Sequence, residues 1–116
     1  MQEDLNDPIM KEMFLDNPLS ETVMVFLLCF TTPLLEETMY RGFLLTSLAK
    51  EMKWWQAIII SACVFSAAHF SFERSLQLFL VGTVLGSVYC WSGNLAAPLL
   101  VHSLYNAAVL LLDYMP

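Results

Sequence analysis

Glu36-Glu37-Thr38-Met39-Tyr40-Arg41 puts two carboxylates and a guanidinium into an otherwise apolar stretch. Ionised groups in hydrocarbon are costly and therefore usually functional. On a helix, Glu37 and Arg41 stand four residues apart and can pair. Glu36 points about 100° away, so it can face a cavity while Arg41 neutralises Glu37. One carboxylate is then structural and the other is left to act as a base. The plainer alternative is a surface salt bridge where a helix leaves the membrane.

Two further places carry polar chemistry. His69, in Phe65-Ser66-Ala67-Ala68-His69, closes a long apolar run. A histidine there can be functional, or an interfacial, hydrogen-bonded residue. His102 and Asn106 lie four residues apart in the middle of the last apolar segment and share one helix face. Buried polar side chains need partners. Helix–helix hydrogen bonding would supply them; so would a carbonyl oxygen at which both donors are aimed. A carboxylate, two histidines and an amide together can activate water and stabilise an oxyanion. Two histidines and a glutamate are also zinc ligands. No HExxH occurs, so a zinc site would be assembled from Glu36, His69 and His102 on separate segments.

The elements that position these residues follow from composition. Of the 116 residues, 58% are hydrophobic and only 14% charged. Soluble domains carry about 25% charged residues, and a small one needs polar side chains to cover its surface. With a mean hydropathy of +0.62, the chain reads as an integral membrane protein. Charged residues and a Ser92-Gly93-Asn94 turn divide it into four apolar segments, roughly Glu21–Ala49, Trp54–Phe70, Ser75–Trp91 and Leu95–Tyr114. The last three approach the ~20 residues of a membrane-spanning helix. The first is longer, and Pro33 predicts a kink or a break within it. Pro98 falls in the first turn of the last helix, where proline is tolerated. The lack of alternation between apolar and polar residues argues against the strands of a membrane barrel, and lipid excludes an open sheet edge, which leaves an all-α, polytopic membrane helix bundle of about four spans.

Several finer expectations follow. Trp54, Trp55 and Trp91 at segment ends suit an interfacial aromatic belt. Gly82 and Gly86 form a small-xxx-small pair that would admit a close neighbour. Cys29, Cys63 and Cys90, far apart and in apolar runs, read as buried, reduced small hydrophobes. The net charge of −6 is concentrated in an acidic leader over residues 1–20, with Glu3, Asp4, Asp7, Glu12 and Asp16, and Glu21 just after it; the membrane core is 21–116. The leader resembles neither a signal nor a transit peptide, and its sign argues against nucleic acid as a partner. Lys50 and Lys53 on one side of the membrane are matched by Lys11 and Arg74 on the other, so basic residues set no orientation.

The order Glu-Glu-x-x-x-Arg, Phe-x-x-x-His, His-x-x-x-Asn, each in an apolar segment, resembles the CPBP family of CAAX prenyl proteases and bacteriocin-processing proteins, also called the Abi family. Pro33 before the glutamates, Arg41-Gly42-Phe43-Leu44 after them and Asn94-Leu95-Ala96-Ala97-Pro98 ahead of the last histidine extend the likeness, which covers Pro33 to Asn106. The resemblance implies an intramembrane endopeptidase acting on a membrane-associated peptide or protein within the bilayer. It implies Glu36 as the base that activates water, His69 as a holder of that water, His102 and Asn106 as the oxyanion site, and Glu37 with Arg41 as a supporting pair. Family members were first named metalloproteases. The prenyl-protease branch implies a glutamate-dependent reaction with no cofactor, which is the reading favoured here over zinc.

Members of the family usually have more spans, so the chain reads as a fragment or a minimal member, in a chloroplast, thylakoid or bacterial plasma membrane. Two other functions compete. One is a non-catalytic membrane scaffold that keeps the site for packing. The other is a proton-coupled carrier, disfavoured because no broken helices repeat across two halves.

Overall fold

The computed structural model describes residues 7–9 and 17–114. Glu3, Asp4, Lys11, Glu12 and Asp16 lie outside the described residues, and with them most of the acidic leader. Four helices dominate: α1 (Pro18–Ala49), α2 (Trp54–Ala67), α3 (Ser75–Ser92) and α4 (Ala96–Tyr114). No strand occurs among the described residues. Helices α1, α3 and α4 are long and apolar enough to cross a membrane. The chain is an all-α, multi-pass integral membrane protein.

Local chemistry sets the helix ends. The Asn17 side chain accepts the Leu19 N–H at 2.9 Å, Pro18 follows at the first helical position, and Glu21 sits in the positive first turn. Lys53 N–H donates to the Gln56 side chain at 3.1 Å as α2 begins. Gly93, at φ 71, ends α3 in the left-handed conformation that glycine adopts without strain. Asn94 then accepts the Ala97 N–H at 2.9 Å and starts α4.

The irregularity expected at Pro33 takes the form of a π-helical turn, Leu27–Thr31, and helical structure continues through the proline. Within that turn the Thr32 N–H reaches back five residues to the Leu27 carbonyl. The same register points the Leu28 carbonyl at Pro33, which has no N–H to give. A second π segment, Thr38–Leu45, follows the glutamates. Its wider turn keeps Glu37, Arg41 and Leu45, four residues apart, in one buried stripe.

Helix α2 is shorter than the Trp54–Phe70 segment expected from hydropathy. Fourteen residues rise ~21 Å, against ~30 Å of hydrocarbon. The backbone leaves the helix after Ala67, and Phe70 at φ 53 cannot continue it. Ser66 Oγ donates to the Ser75 carbonyl at 2.7 Å, tying this exit to the first residue of α3.

The fold divides into two compact units, Leu35–Val101 and Met1–Leu34 with His102–Pro116, the division falling inside α1 and α4. In the first unit α2 packs on α3 through the two glycines. A Cβ at Gly82 would stand 3.2 Å from Ala62 Cα, and one at Gly86 3.3 Å from Ile58 Cγ2. The small-xxx-small pair therefore seats α2. Leu45, Ala57 and Ile58, with Leu48, Met52 and Tyr89, complete this core. In the second unit Met24, Leu28 and Cys29 pack against Leu110. Cys63 and Cys90 are exposed, not buried as expected. Large apolar side chains of the same unit, such as Phe43 and Leu80, are exposed as well. Such faces meet lipid, where a thiol is tolerated without a protein partner.

Candidate active site

Within Leu35–Val101, the two adjacent glutamates go separate ways. Glu37 is fully buried, and its Oε1 lies 3.3 Å from Arg41 Nη1. The contact is electrostatic, because Arg41 Nη1 finds no aligned hydrogen-bond acceptor. Arg41 is held in two further ways. Its Nη2 donates to the Gly82 carbonyl at 3.1 Å, and its Cζ sits 4.8 Å from the Phe65 ring centroid. A guanidinium suits this place, since it is flat enough to stack and forked enough to serve two acceptors.

Glu36 turns to the other side. Its Oε1 lies 3.7 Å from His69 Nε2, and the two side chains are 24% and 21% exposed. That exposure separates the two carboxylates: Glu36 keeps some open surface, and Glu37 is sealed within the protein. His69 stands two residues past the end of α2, so helical geometry does not aim its ring. A hydrogen bond does. Nδ1 lies 2.6 Å from the Phe65 carbonyl oxygen, which can only accept, so Nδ1 carries the proton. In the neutral imidazole Nε2 is then bare and faces a carboxylate oxygen. At 3.7 Å the two acceptors are too far apart for a direct hydrogen bond. They are spaced for a bridging water that donates to both.

His102 and Asn106 belong to the other unit, one turn apart on α4, and both are buried. Asn106 Nδ2 donates to the Leu28 carbonyl at 2.9 Å. This is the oxygen that the π register turns toward Pro33, so the amide completes a hydrogen bond that proline cannot make. Asn106→Ala is expected to leave that carbonyl unsatisfied at a cost of about 1–3 kcal/mol. Thermal unfolding in detergent checks it; a midpoint equal to wild type would show that the bond carries no stability. Lost activity in this variant would therefore report on folding as well as on chemistry.

The described residues gather no three His, Cys, Asp or Glu side chains in a metal-holding group. Glu36 and His69 would offer two donors to a zinc ion, and His102, the third ligand expected from the sequence, belongs to the other unit.

Sequence patterns mark Glu36, Glu37, Arg41 and His69 directly. They do not mark the Gly82 carbonyl, the Phe65 ring or the Leu28 carbonyl as partners. Phe65 stands in the Phe-x-x-x-His pattern and Gly82 in the glycine pair, so both were visible as motif members without a role.

Residues 18–108 match the family model described as Type II CAAX prenyl endopeptidase Rce1-like. An uncharacterized 24.3 kDa protein of Escherichia coli is 32% identical over 102 residues, covering 83% of this chain and 47% of that protein. A protein of Staphylococcus aureus (strain USA300) named membrane-embedded CAAX protease MroQ is 27% identical over 95 residues, covering 77% of this chain and 38% of its own length. The chain thus spans less than half the length of these curated relatives. No solved structure matches it. With glutamate pair, arginine and histidines inside the matched residues, the chain belongs to the Type II CAAX prenyl endopeptidase Rce1-like family of CPBP membrane proteases.

Proposed function

We propose that the protein is an intramembrane endopeptidase in which Glu36 and His69 activate a water against a peptide bond of a membrane-associated substrate. The observation that carries this reading is the approach of Glu36 Oε1 to His69 Nε2 at 3.7 Å, with both side chains partly exposed. A water bridging them donates one O–H to each. Glu36 takes its proton as the oxygen attacks the carbonyl carbon, giving a tetrahedral oxyanion. The carboxylic acid so formed then delivers that proton to the departing nitrogen as the C–N bond breaks. A new carboxyl terminus and an amine leave, and Glu36 is again ionised.

His102 and Asn106 are the proposed oxyanion donors, through an imidazole N–H and an amide N–H, the groups that stabilise such charge elsewhere. Glu37 and Arg41 take no part in proton transfer; they hold α1 in register with α3. The staphylococcal relative's name, a membrane-embedded CAAX protease, supports the same reaction class.

The test is cleavage of a quenched fluorescent, lipid-anchored peptide by the purified chain in proteoliposomes. Cleavage is expected in wild type, with and without 1,10-phenanthroline, and is expected to be lost in Glu36→Ala. Equal cleavage by Glu36→Ala, or none by wild type, would sink the proposal. Loss to the chelator that zinc restores would replace the metal-free route.

A further inference from the structure

Phe65 does more than fill the space one turn before His69. Its ring is buried, at 1% exposure. Three side chains converge on it: the Arg41 guanidinium at 4.8 Å, the Tyr40 ring at 5.2 Å and an interplanar angle of 87°, and the His69 ring at 4.8 Å and 61°. Both rings meet it edge to face, the arrangement that aromatic quadrupoles favour. Its carbonyl accepts the His69 Nδ1 proton.

Helix α3 fixes where that ring can lie. A Cβ at Gly82 would stand 3.2 Å from Phe65 Cδ2 and 3.2 Å from both Cα and Cβ of Ala62. The Ala62 Cα is backbone and gives way only if α2 moves, so the ring or the helix would have to shift. The Gly82 carbonyl meanwhile holds Arg41 Nη2, which keeps the guanidinium over the ring. Gly82 therefore acts twice, leaving room for Phe65 and aiming the cation that seats it.

His69 needs such support because it lies beyond the helix, in a turn where the backbone alone does not orient a side chain. We propose that Phe65 and Gly82 are positioning residues for His69: the carbonyl of Phe65 selects the tautomer, and its ring, seated by Gly82 and Arg41, keeps Nε2 turned to Glu36. The catalytic meaning of this arrangement rests on the reading of Glu36 and His69 as the water-activating pair.

The imidazole 15N shifts of His69 test it on the full chain in detergent micelles, with His69→Gln identifying its signals beside those of His102. Wild type is expected to show widely separated Nδ1 and Nε2 shifts, one protonated and one bare. In Phe65→Leu and in Gly82→Ala the two shifts are expected to move together as the ring samples both tautomers. Phe65→Tyr, which keeps the ring, is expected to retain the wild-type pattern. In the cleavage assay, Phe65→Leu and Gly82→Ala are expected to lose about ten- to a hundredfold in kcat with KM unchanged, as misplacement of a reacting group does. Phe65→Met serves as the second aliphatic variant should Leu at 65 unfold the chain. Wild-type shifts in a folded Phe65→Leu or Phe65→Met, or averaged shifts in wild type, would overturn the proposal. The shifts are read without turnover, so a wild-type chain that cleaves nothing refutes the peptidase reading and leaves this test standing.

Discussion

Glu36→Gln is expected to lower peptide cleavage by about 10²- to 10⁴-fold, the usual worth of a positioned general base. The amide keeps the size and the acceptor oxygen of the carboxylate, so it can still hold a water. It cannot take that water's proton at neutral pH. Glu36 is partly exposed and the change keeps its size, so the fold should survive it. Single-turnover rates, with circular dichroism to confirm helicity, make the comparison. His69→Ala should cost less than Glu36→Gln, because the imidazole holds the water but does not receive the proton. A Glu36→Gln rate within about threefold of wild type would mean that another group takes the proton, since a general base is worth far more.

Arg41→Ala is expected to be the most damaging change to the fold. Removing one member of a buried ion pair costs about 3–5 kcal/mol, because the other charge stays behind unpaired. Here the loss is compounded. Glu37 loses its cation, the Gly82 carbonyl loses its donor, and the face of Phe65 is uncovered. Against a usual total stability of about 5–15 kcal/mol, that removes a large share of it. Arg41→Lys should do only part of the harm, since an ammonium restores the charge but neither the stack nor the fork. The double variant Arg41→Met with Glu37→Leu should be more stable than Arg41→Ala, because no uncompensated charge remains. Thermal unfolding in detergent ranks the three. If the double variant unfolds no later than Arg41→Ala, the penalty lies in lost packing and not in the stranded carboxylate.

Much of this architecture is set by composition and local spacing. A chain with 14% charged residues cannot cover a soluble surface, and unsatisfied backbone in lipid allows only helices here. The boundaries of α1, α3 and α4 lie where charges, Gly93 and Asn17 put them. The Glu37–Arg41 contact follows from a four-residue separation, and the divergence of Glu36 from Glu37 follows from helical pitch. These depend on neighbours within one turn, which a sequence displays directly.

What the tertiary structure decided depends on residues far apart in the chain. Arg41 finds the Gly82 carbonyl across 41 positions, and Asn106 finds Leu28 across 78. Neither partner is a side chain, and backbone acceptors leave no residue-type signal. The early end of α2 was hidden because Ala68, Phe70 and Phe72 are as apolar as the helix before them. The 3.7 Å approach of His69 to Glu36 likewise required α2 to stop short and the Phe65 carbonyl to turn the ring. Sequence alone thus determined that ionisable residues lie inside apolar helices, because burial of charge is a matter of composition. Which of the two glutamates is sealed against Arg41 and which meets a histidine was decided by packing, because only the folded chain assigns each side chain its neighbours.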